Sequence, residues 1–497
     1  MILLVENDTT YTNDLRAMLQ AFYAEEKIQG VSPKEVADYK KELFAEFRFV
    51  FTALFQERHT RLRLEENGKV VFTAYINGDY EDKAKFRNKL KLASYRLLSD
   101  YTGRELPWGS LTGMRPTKIA SKALRDGLDR DEIIDGYMEA YQVSEEKATL
   151  AVDVAVREQE ILESVDPRTD YCLYIGIPFC PTRCLYCSFT SYPIDMYAQS
   201  VSDYLDALIR ELQIISYVNR KRRLVSIYIG GGTPTSIEAG FLDRLLQAVE
   251  DNFDFSNLKE FTVEAGRPDS MNPDKMRVLK RHKVTRISIN PQTMRDKTLQ
   301  RIGRNHTSED VIRAFRLARE LSFKDINMDI IAGLPGENPD DMRYTLGLIE
   351  KLGPDSLTVH SLAVKRAAEL RSQFDELRHT FHKYTDQMLV MAHEAAQRMK
   401  LAPYYLYRQK NISGNLENVG YAKDPCLYNV LIIEERLDIL AAGAGSVTKL
   451  LRINEETGEI LGVDRVEDVK NVDQYMDRID EMIERKREAT EGMMRFG

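Results

Sequence analysis

Cysteine is scarce in this chain, five in 497 residues, which excludes a disulfide framework. Long apolar runs are missing too. No stretch approaches the roughly 18 residues a membrane-crossing helix needs, so no membrane span is expected. There is no surplus of positive charge either. The net charge is −8 and the pI about 5.7, which argues against a nucleic-acid-coating protein. The opening MILLVENDTTYTND has no basic segment before its apolar one and turns acidic at once. It is not expected to be a signal peptide, and a cytoplasmic location is expected. No low-complexity tract occurs. What remains, 43% hydrophobic and 30% charged residues, describes a globular protein long enough for two or three domains.

Three of the five cysteines fall within eight residues, in YCLYIGIPFCPTRCLYCS (Tyr171–Ser188). Cys180, Cys184 and Cys187 follow a short apolar strand in a Cys-x3-Cys-x2-Cys pattern. Such clustering points to metal or redox chemistry. Three thiolates can hold three irons of a [4Fe–4S] cubane and leave the fourth iron open. Zinc is the alternative. It commonly takes four N/S ligands from paired knuckles, and here there is no second pair and His282 is far along the chain. Cys172 and Cys426 stand alone and read as small buried hydrophobes.

Around this segment the chain organises into three parts: residues 1–165, 166–370 and 371–497. In the first, Met1–Val5, Phe47–Leu54, Arg61–Glu65 and Val70–Ile76 read as strands, with a turn at Glu66-Asn67-Gly68. Thr12–Glu25 and Asp82–Tyr101 read as helices, giving an α+β domain. Pro107–Lys118 reads as a linker or ordered loop, followed by helices to Glu163. In the second part, six short apolar strands alternate with helical stretches. The strands are Cys172–Ile177, Val225–Ile229, Phe261–Glu264, Thr285–Ile289, Ile326–Ile331 and Ser356–Val359. That pattern predicts parallel β/α units forming a barrel or part of one, an α/β fold with its site at the carboxyl ends of the strands. The third part is expected to be mostly helical. It has a long charged helix over Asp375–Lys400, an irregular aromatic-rich Ala402–Tyr428, a strand at Val430–Glu434, the Gly-rich AAGAGSVTK (Ala441–Lys449) and a helical tail.

The loop after the second strand is Gly230-Gly231-Gly232-Thr233-Pro234-Thr235. Glycine permits close backbone approach and positive φ. Glu264, Gln292 and Asp329 lie at comparable levels of strands three to five, with Arg304 shortly beyond. Each alone reads as a satisfied polar residue; together they converge on one mouth.

The cysteine pattern, with Tyr186 just before the last cysteine, resembles the radical S-adenosylmethionine (SAM) superfamily. The resemblance implies that the open iron chelates SAM and that reductive cleavage of the sulfonium yields a 5′-deoxyadenosyl radical. It sharpens to the oxygen-independent coproporphyrinogen III oxidases (coproporphyrinogen dehydrogenases). The matching residues are Tyr174-x-x-Ile177-Pro178-Phe179-Cys180, the GGGTPT loop, Glu264, Ile289-x-x-Gln292, Arg304 and Asp329-x3-Gly333-Leu334-Pro335. YYLYRQKN (Tyr404–Asn411) and AGAGS look like that family's C-terminal region, and the whole resembles its longer, HemZ-type branch.

The resemblance implies a radical SAM partial (β/α)6 barrel. It implies a catalytic set of Tyr174, Cys180, Cys184 and Cys187, the cysteines ligating the cluster. It implies a SAM pocket lined by Tyr174, Tyr186, Gly231, Gly232, Thr233, Glu264, Gln292, Arg304, Asp329 and Ala363. The implied reaction is decarboxylation of two propionates of coproporphyrinogen III to vinyls. It would need an electron donor such as ferredoxin or flavodoxin. Substrate carboxylates would need cations, for which Lys365, Arg366, Arg408 and Lys410 are candidates. At two positions the chain departs from the common oxidase pattern: Gly176 replaces a His, and Phe189 replaces a fourth Cys, as in the related heme chaperones. The rival function is therefore a heme-delivery protein, or a radical SAM enzyme acting on another tetrapyrrole.

Overall fold

The computed structural model describes residues 1–24, 26–37, 46–78, 80–113, 115–362, 384–408, 416–454 and 456–494. The chain divides into two compact units. One is Met1–Val156 with Glu376–Asp386 and Leu406–Asn418; the other is Arg157–Asp375 with Gln387–Tyr405 and Val419–Gly497.

In the first unit, strands Ile28–Val31, Ile2–Glu6, Phe49–Phe55, His59–Glu66 and Lys69–Asn77 form a mixed sheet in that spatial order. The expected turn is present: Asn67 and Gly68 both take positive φ and close the hairpin. Helices Thr12–Phe22 and Lys83–Thr102 cover the sheet through Leu15, Leu19, Phe86 and Leu90. In the segment expected as a linker or ordered loop, residues 107–113 form an ordered loop. Trp108 is fully buried there and donates from Nε1 to Glu417 Oε2 at 2.6 Å.

The second unit carries the six expected strands: β1 (Asp170–Ile177), β2 (Arg223–Gly231), β3 (Glu260–Gly266), β4 (Arg286–Ile289), β5 (Asp325–Ala332) and β6 (Ser356–Ser361). Each pairs in parallel with the next. Their near-continuous burial is what a sheet covered on both faces demands. The longer helices between them are α1 (Val201–Asn219), α2 (Ala239–Asn252), α3 (Pro273–Arg281), α4 (Ser308–Glu320) and α5 (Pro339–Leu352), with a short one at Asp296–Arg301. Asn272, Thr307 and Asn338 cap the last three by accepting backbone N–H bonds.

This is an α/β fold whose barrel is partial, as the resemblance implies. β6 does not meet β1; the C-terminal region extends the sheet on both sides instead. That region is helical as expected, with Thr385–Arg398 and Ile479–Met494 among its helices, but it also supplies strands. Ala402–Tyr428, expected to be irregular, contains β7 (Ala402–Arg408) and β8 (Glu417–Ala422), and β8 lies antiparallel on β6. Val430–Glu434, expected to be a strand, is the end of helix α6 (Leu427–Glu434). A short apolar run fits either conformation, and burial against the sheet decided it. Beyond it, β9 (Asp438–Ala442) pairs in parallel with β1, and β10 (Val447–Ile453) and β11 (Ile460–Glu467) complete the edge. Among the described residues no helix is long and apolar enough to cross a membrane.

Candidate active site at the carboxyl ends of the strands

The cysteine loop begins where β1 runs out. Phe179 and Cys180 pair in parallel with Tyr192 and Pro193, which closes the loop at its base. Within it, Cys187 N donates to Cys184 O at 3.0 Å, a tight turn that brings the last two cysteines to one side. The loop is tied down from outside as well. Leu185 N donates to Ile302 O at 3.1 Å, and Thr182 Oγ1 to Gly303 O at 3.2 Å. Cys180 and Cys184 are each only 9% exposed, and Cys187 is half-buried. All three are free thiols.

The glycine loop after β2 is bonded directly to this base. Gly232 N donates to Ile177 O at 2.8 Å, and Thr233 N to Phe179 O at 2.7 Å. A Cβ on Gly232 would lie 2.5 Å from Phe179 O, so only glycine lets the two backbones approach this closely. Gly231 has φ +105°, which side chains rarely adopt. The triglycine thus makes room for protein, and the hydroxyl of Thr233 reaches Cys180 Sγ at 3.4 Å.

Behind this loop three tyrosines stack. Tyr174 and Tyr228 are register partners on β1 and β2, with centroids 6.2 Å apart. Tyr428 on α6 lies 4.4 Å from Tyr228. The helix bearing Tyr428 is held by Glu260, which accepts Leu427 N at 2.7 Å and Tyr428 N at 3.3 Å, an anion at a helix N-terminus. Tyr228 donates to Glu264 Oε1 at 2.5 Å. Burial pushes the Glu264 carboxyl up to about 7; the Asp329 charge adds to that, while Tyr228 and the Gly231 N–H oppose it. Asp329 is held below its usual range in spite of burial, because His360, Asn327 and Thr358 stabilise its anion. Two neighbouring carboxyls are thereby set apart in proton affinity.

Gln292 joins this group through its backbone, donating from N to Asp329 O at 2.9 Å in a left-handed conformation, φ +66°. Non-glycine residues adopt that conformation at a cost, commonly where a site requires it. Its Oε1, Asn290 Oδ1 and Arg304 Nε are buried with no protein partner. Arg304 itself donates to Asn290 O and pairs with Tyr186 and Cys184, partners that offset burial and keep its pKa raised.

Tyr174, Gly231, Glu264, Asp329 and Gln292 therefore form one linked set. Thr233 meets Cys180, and Tyr186 with Arg304 meets Cys184. Ala363, Lys365, Arg366 and Lys410 lie outside the described residues. Arg408, a candidate for a substrate carboxylate, belongs to the first unit. It is 3% exposed, donates to Leu111 O at 2.9 Å and lies over Trp108, and burial draws its pKa down to about 9. Gly176, where the common oxidase pattern has His, backs onto β9; a Cβ there would sit 3.4 Å from Ala442 O.

Sequence reasoning missed Tyr228, Tyr428, His360 and Arg267. Tyr228 lies two residues before the glycine loop on its strand, a position that could have signalled it; nothing in the local sequence of the others does so.

The donor set fits a [4Fe–4S] cluster and SAM. Three thiols converge near the glycine loop, and buried polar atoms stand unpartnered beside them, as a polar ligand requires. Among the described residues no three His, Cys, Asp or Glu side chains group tightly enough for one metal ion. A cubane instead takes its thiolates at separate corners.

A family model described as "Radical SAM superfamily" matches residues 174–349. The oxygen-independent coproporphyrinogen-III oxidase-like protein HemZ of Bacillus subtilis is 38% identical over 427 residues, covering 84% of each chain. The heme chaperone HemW of the same organism is 37% identical over 193 residues, 39% of this chain and 50% of that one. The oxygen-independent coproporphyrinogen III oxidase of Escherichia coli is 29% identical over 208 residues, 41% of this chain and 45% of that one. The solved structure of coproporphyrinogen III oxidase (HemN) from Escherichia coli superposes with a TM-score of 0.44 at 22% identity, over 65% of this chain and 73% of that one.

Proposed function

The chain belongs to the radical SAM superfamily, in the family of the HemZ-like oxygen-independent coproporphyrinogen-III oxidase-like proteins, and from that premise we propose that it decarboxylates coproporphyrinogen III to protoporphyrinogen IX without oxygen. The observation that carries this reading is the extent of the match. The oxidase-like relative aligns along 84% of the chain, whereas the chaperone HemW and the Escherichia coli oxidase align along 39% and 41%, the core common to both.

In this reading Cys180, Cys184 and Cys187 would hold a [4Fe–4S] cluster, and the linked set from Tyr174 to Asp329 would hold SAM. Bound there, cluster and SAM supply hydrogen-atom abstraction from the substrate. Each of two propionates would lose a hydrogen atom from the carbon β to its carboxyl, then CO2, with one electron passing to an external one-electron acceptor, and become a vinyl. The chain's residues bind and orient. Glu264 and Asp329 take hydroxyl or ammonium groups, and Arg304 takes a carboxylate. Gln292 presents its free Oε1 to a donor. The tyrosine stack and Phe179 keep water from the site. A separate electron, needed to cleave SAM, would come from a small one-electron donor such as ferredoxin or flavodoxin, and the protein works in the cytoplasm.

Anaerobic incubation of the reconstituted protein with SAM, dithionite and coproporphyrinogen III tests this. Vinyl-bearing product is expected; none, with the cluster intact, rejects it. One observation favours a second reading, heme delivery: Phe189 is 68% exposed at the position where the oxidase pattern has cysteine. Stoichiometric heme binding without porphyrinogen turnover would select that reading.

A further inference from the structure

Arg267 follows β3 by one residue and is 2% exposed. Its fork is fixed by Asp269, which accepts from Nε at 2.9 Å and from Nη2 at 2.5 Å. The remaining nitrogen, Nη1, faces the cysteine loop. It donates to Thr182 O at 2.7 Å and Thr182 Oγ1 at 2.9 Å, and it lies 3.7 Å from Cys184 Sγ. Arg304 approaches the same sulfur, so Cys184 has two guanidinium groups beside it. The other two sulfurs meet hydroxyls, Thr233 Oγ1 at 3.4 Å from Cys180 and Ser191 Oγ at 3.9 Å from Cys187, although the charges of Arg267 and Arg183 are felt there as well. The three corners are therefore electrostatically unequal.

We propose that Arg267 is a positioning residue that sets the reduction potential of the bound cluster, its N–H groups bonding the Cys184 thiolate and favouring the more negative, reduced state. This rests on the reading of Cys184 as a cluster ligand. Hydrogen bonds to ligating sulfurs and buried charge beside them are what a protein uses to move such potentials. One electron enters from an external one-electron donor, with no bond made or broken. A positive charge held at 3.7 Å from a ligating sulfur stabilises that added charge, and the Asp269 clamp keeps Nη1 pointed at it. The opposing view is that Arg267 merely staples the loop to β3 through Thr182.

The test is a redox titration followed by electron paramagnetic resonance, without SAM, on reconstituted wild-type, Arg267→Gln and Arg267→Lys proteins. Dithionite-reduced samples supply the electrons. The Gln variant is expected to have a midpoint more negative by about 59 mV, a tenfold change in a one-electron equilibrium. Lys, which keeps the charge but not the fork, falls between. Equal midpoints with full iron and sulfide would overturn the proposal. So would both variants folding without holding iron, because the role is then structural. If Gln alone fails to load, the Lys midpoint decides. Cys184→Ser retaining a complete cluster rejects the ligand reading itself, a separate failure.

Discussion

Tyr228 and Glu264 face each other across adjacent strands, the phenol donating to the carboxyl at 2.5 Å. This bond opposes the burial that pushes Glu264 up to about 7. An acid whose folded pKa is raised stabilises the fold below its unfolded value, about 4.3, and that contribution is lost as pH rises through about 7. The ligand-free protein is therefore expected to melt at a lower temperature at pH 8 than at pH 5, to a greater degree than Glu264→Gln. SAM binding should run the other way, strengthening as Glu264 ionises. Tyr228→Phe removes the donor, raises the pKa further and moves that binding profile to higher pH. Equilibrium dialysis at several pH values reads the shift; superimposable wild-type and Phe profiles would refute the coupling.

The five cysteines should separate cleanly by substitution. Cys180→Ser, Cys184→Ser and Cys187→Ser are each expected to lose most of the iron and sulfide after reconstitution. Cys172→Ala and Cys426→Ala should retain it, at a cost on the order of 1 kcal/mol for the lost packing. Cys172 is fully buried in β1, and Cys426 is buried at the N-cap of α6 beside Glu260. Iron loss in either Ala variant would contradict the assignment of the loop as the sole source of ligands.

Gly232→Ala places a methyl 2.5 Å from Phe179 O, and that neighbour is backbone, which cannot swing away. The loop must shift, and the expected destabilisation is about 1–3 kcal/mol. Because Gly232 and Thr233 bond the base of the cysteine loop, cluster loading should fall with it. Gly240→Ala on α2, where an added Cβ meets nothing, is the control and should be neutral. Denaturant unfolding together with iron content checks both; a neutral Gly232→Ala would show that the close approach relaxes freely.

How much of this was visible beforehand follows from where each signal resides. The cysteine loop, the glycine turn and the parallel strands are local patterns, so spacing alone locates them. Glu264, Gln292 and Asp329 could be placed because parallel strands of similar length end at similar heights. Tyr428 could not, because its position depends on α6 docking onto Glu260, 168 residues away in the chain. Arg267 was hidden for a different reason. As a charged residue in a loop it reads as solvated, and only the tertiary structure shows it 2% exposed with its fork turned toward Cys184.

The C-terminal helical tail shows the same limit and gives the last prediction. Its Lys486 is buried between Glu211 on α1 and Asp468, and also donates to Ala441 O on β9, none of which a helical pattern in the sequence shows. Glu211 in turn accepts the N–H of Gly443, so this lysine stands behind the Gly-rich turn that follows β9. Lys486→Met removes the cation and leaves two buried carboxylates facing each other, which is expected to cost about 3–5 kcal/mol. Burial already pushes Asp468 up to about 7 with the lysine present, and without it the carboxyl rises further. A raised folded pKa gives stability that is complete below the unfolded value, about 3.9, and is lost as pH climbs through the folded one. The deficit of the Met variant should accordingly be smallest near pH 5 and largest near pH 8. Urea unfolding at both pH values measures it, and a variant as stable as wild type at pH 8 would mean that the trio contributes nothing to anchoring the tail.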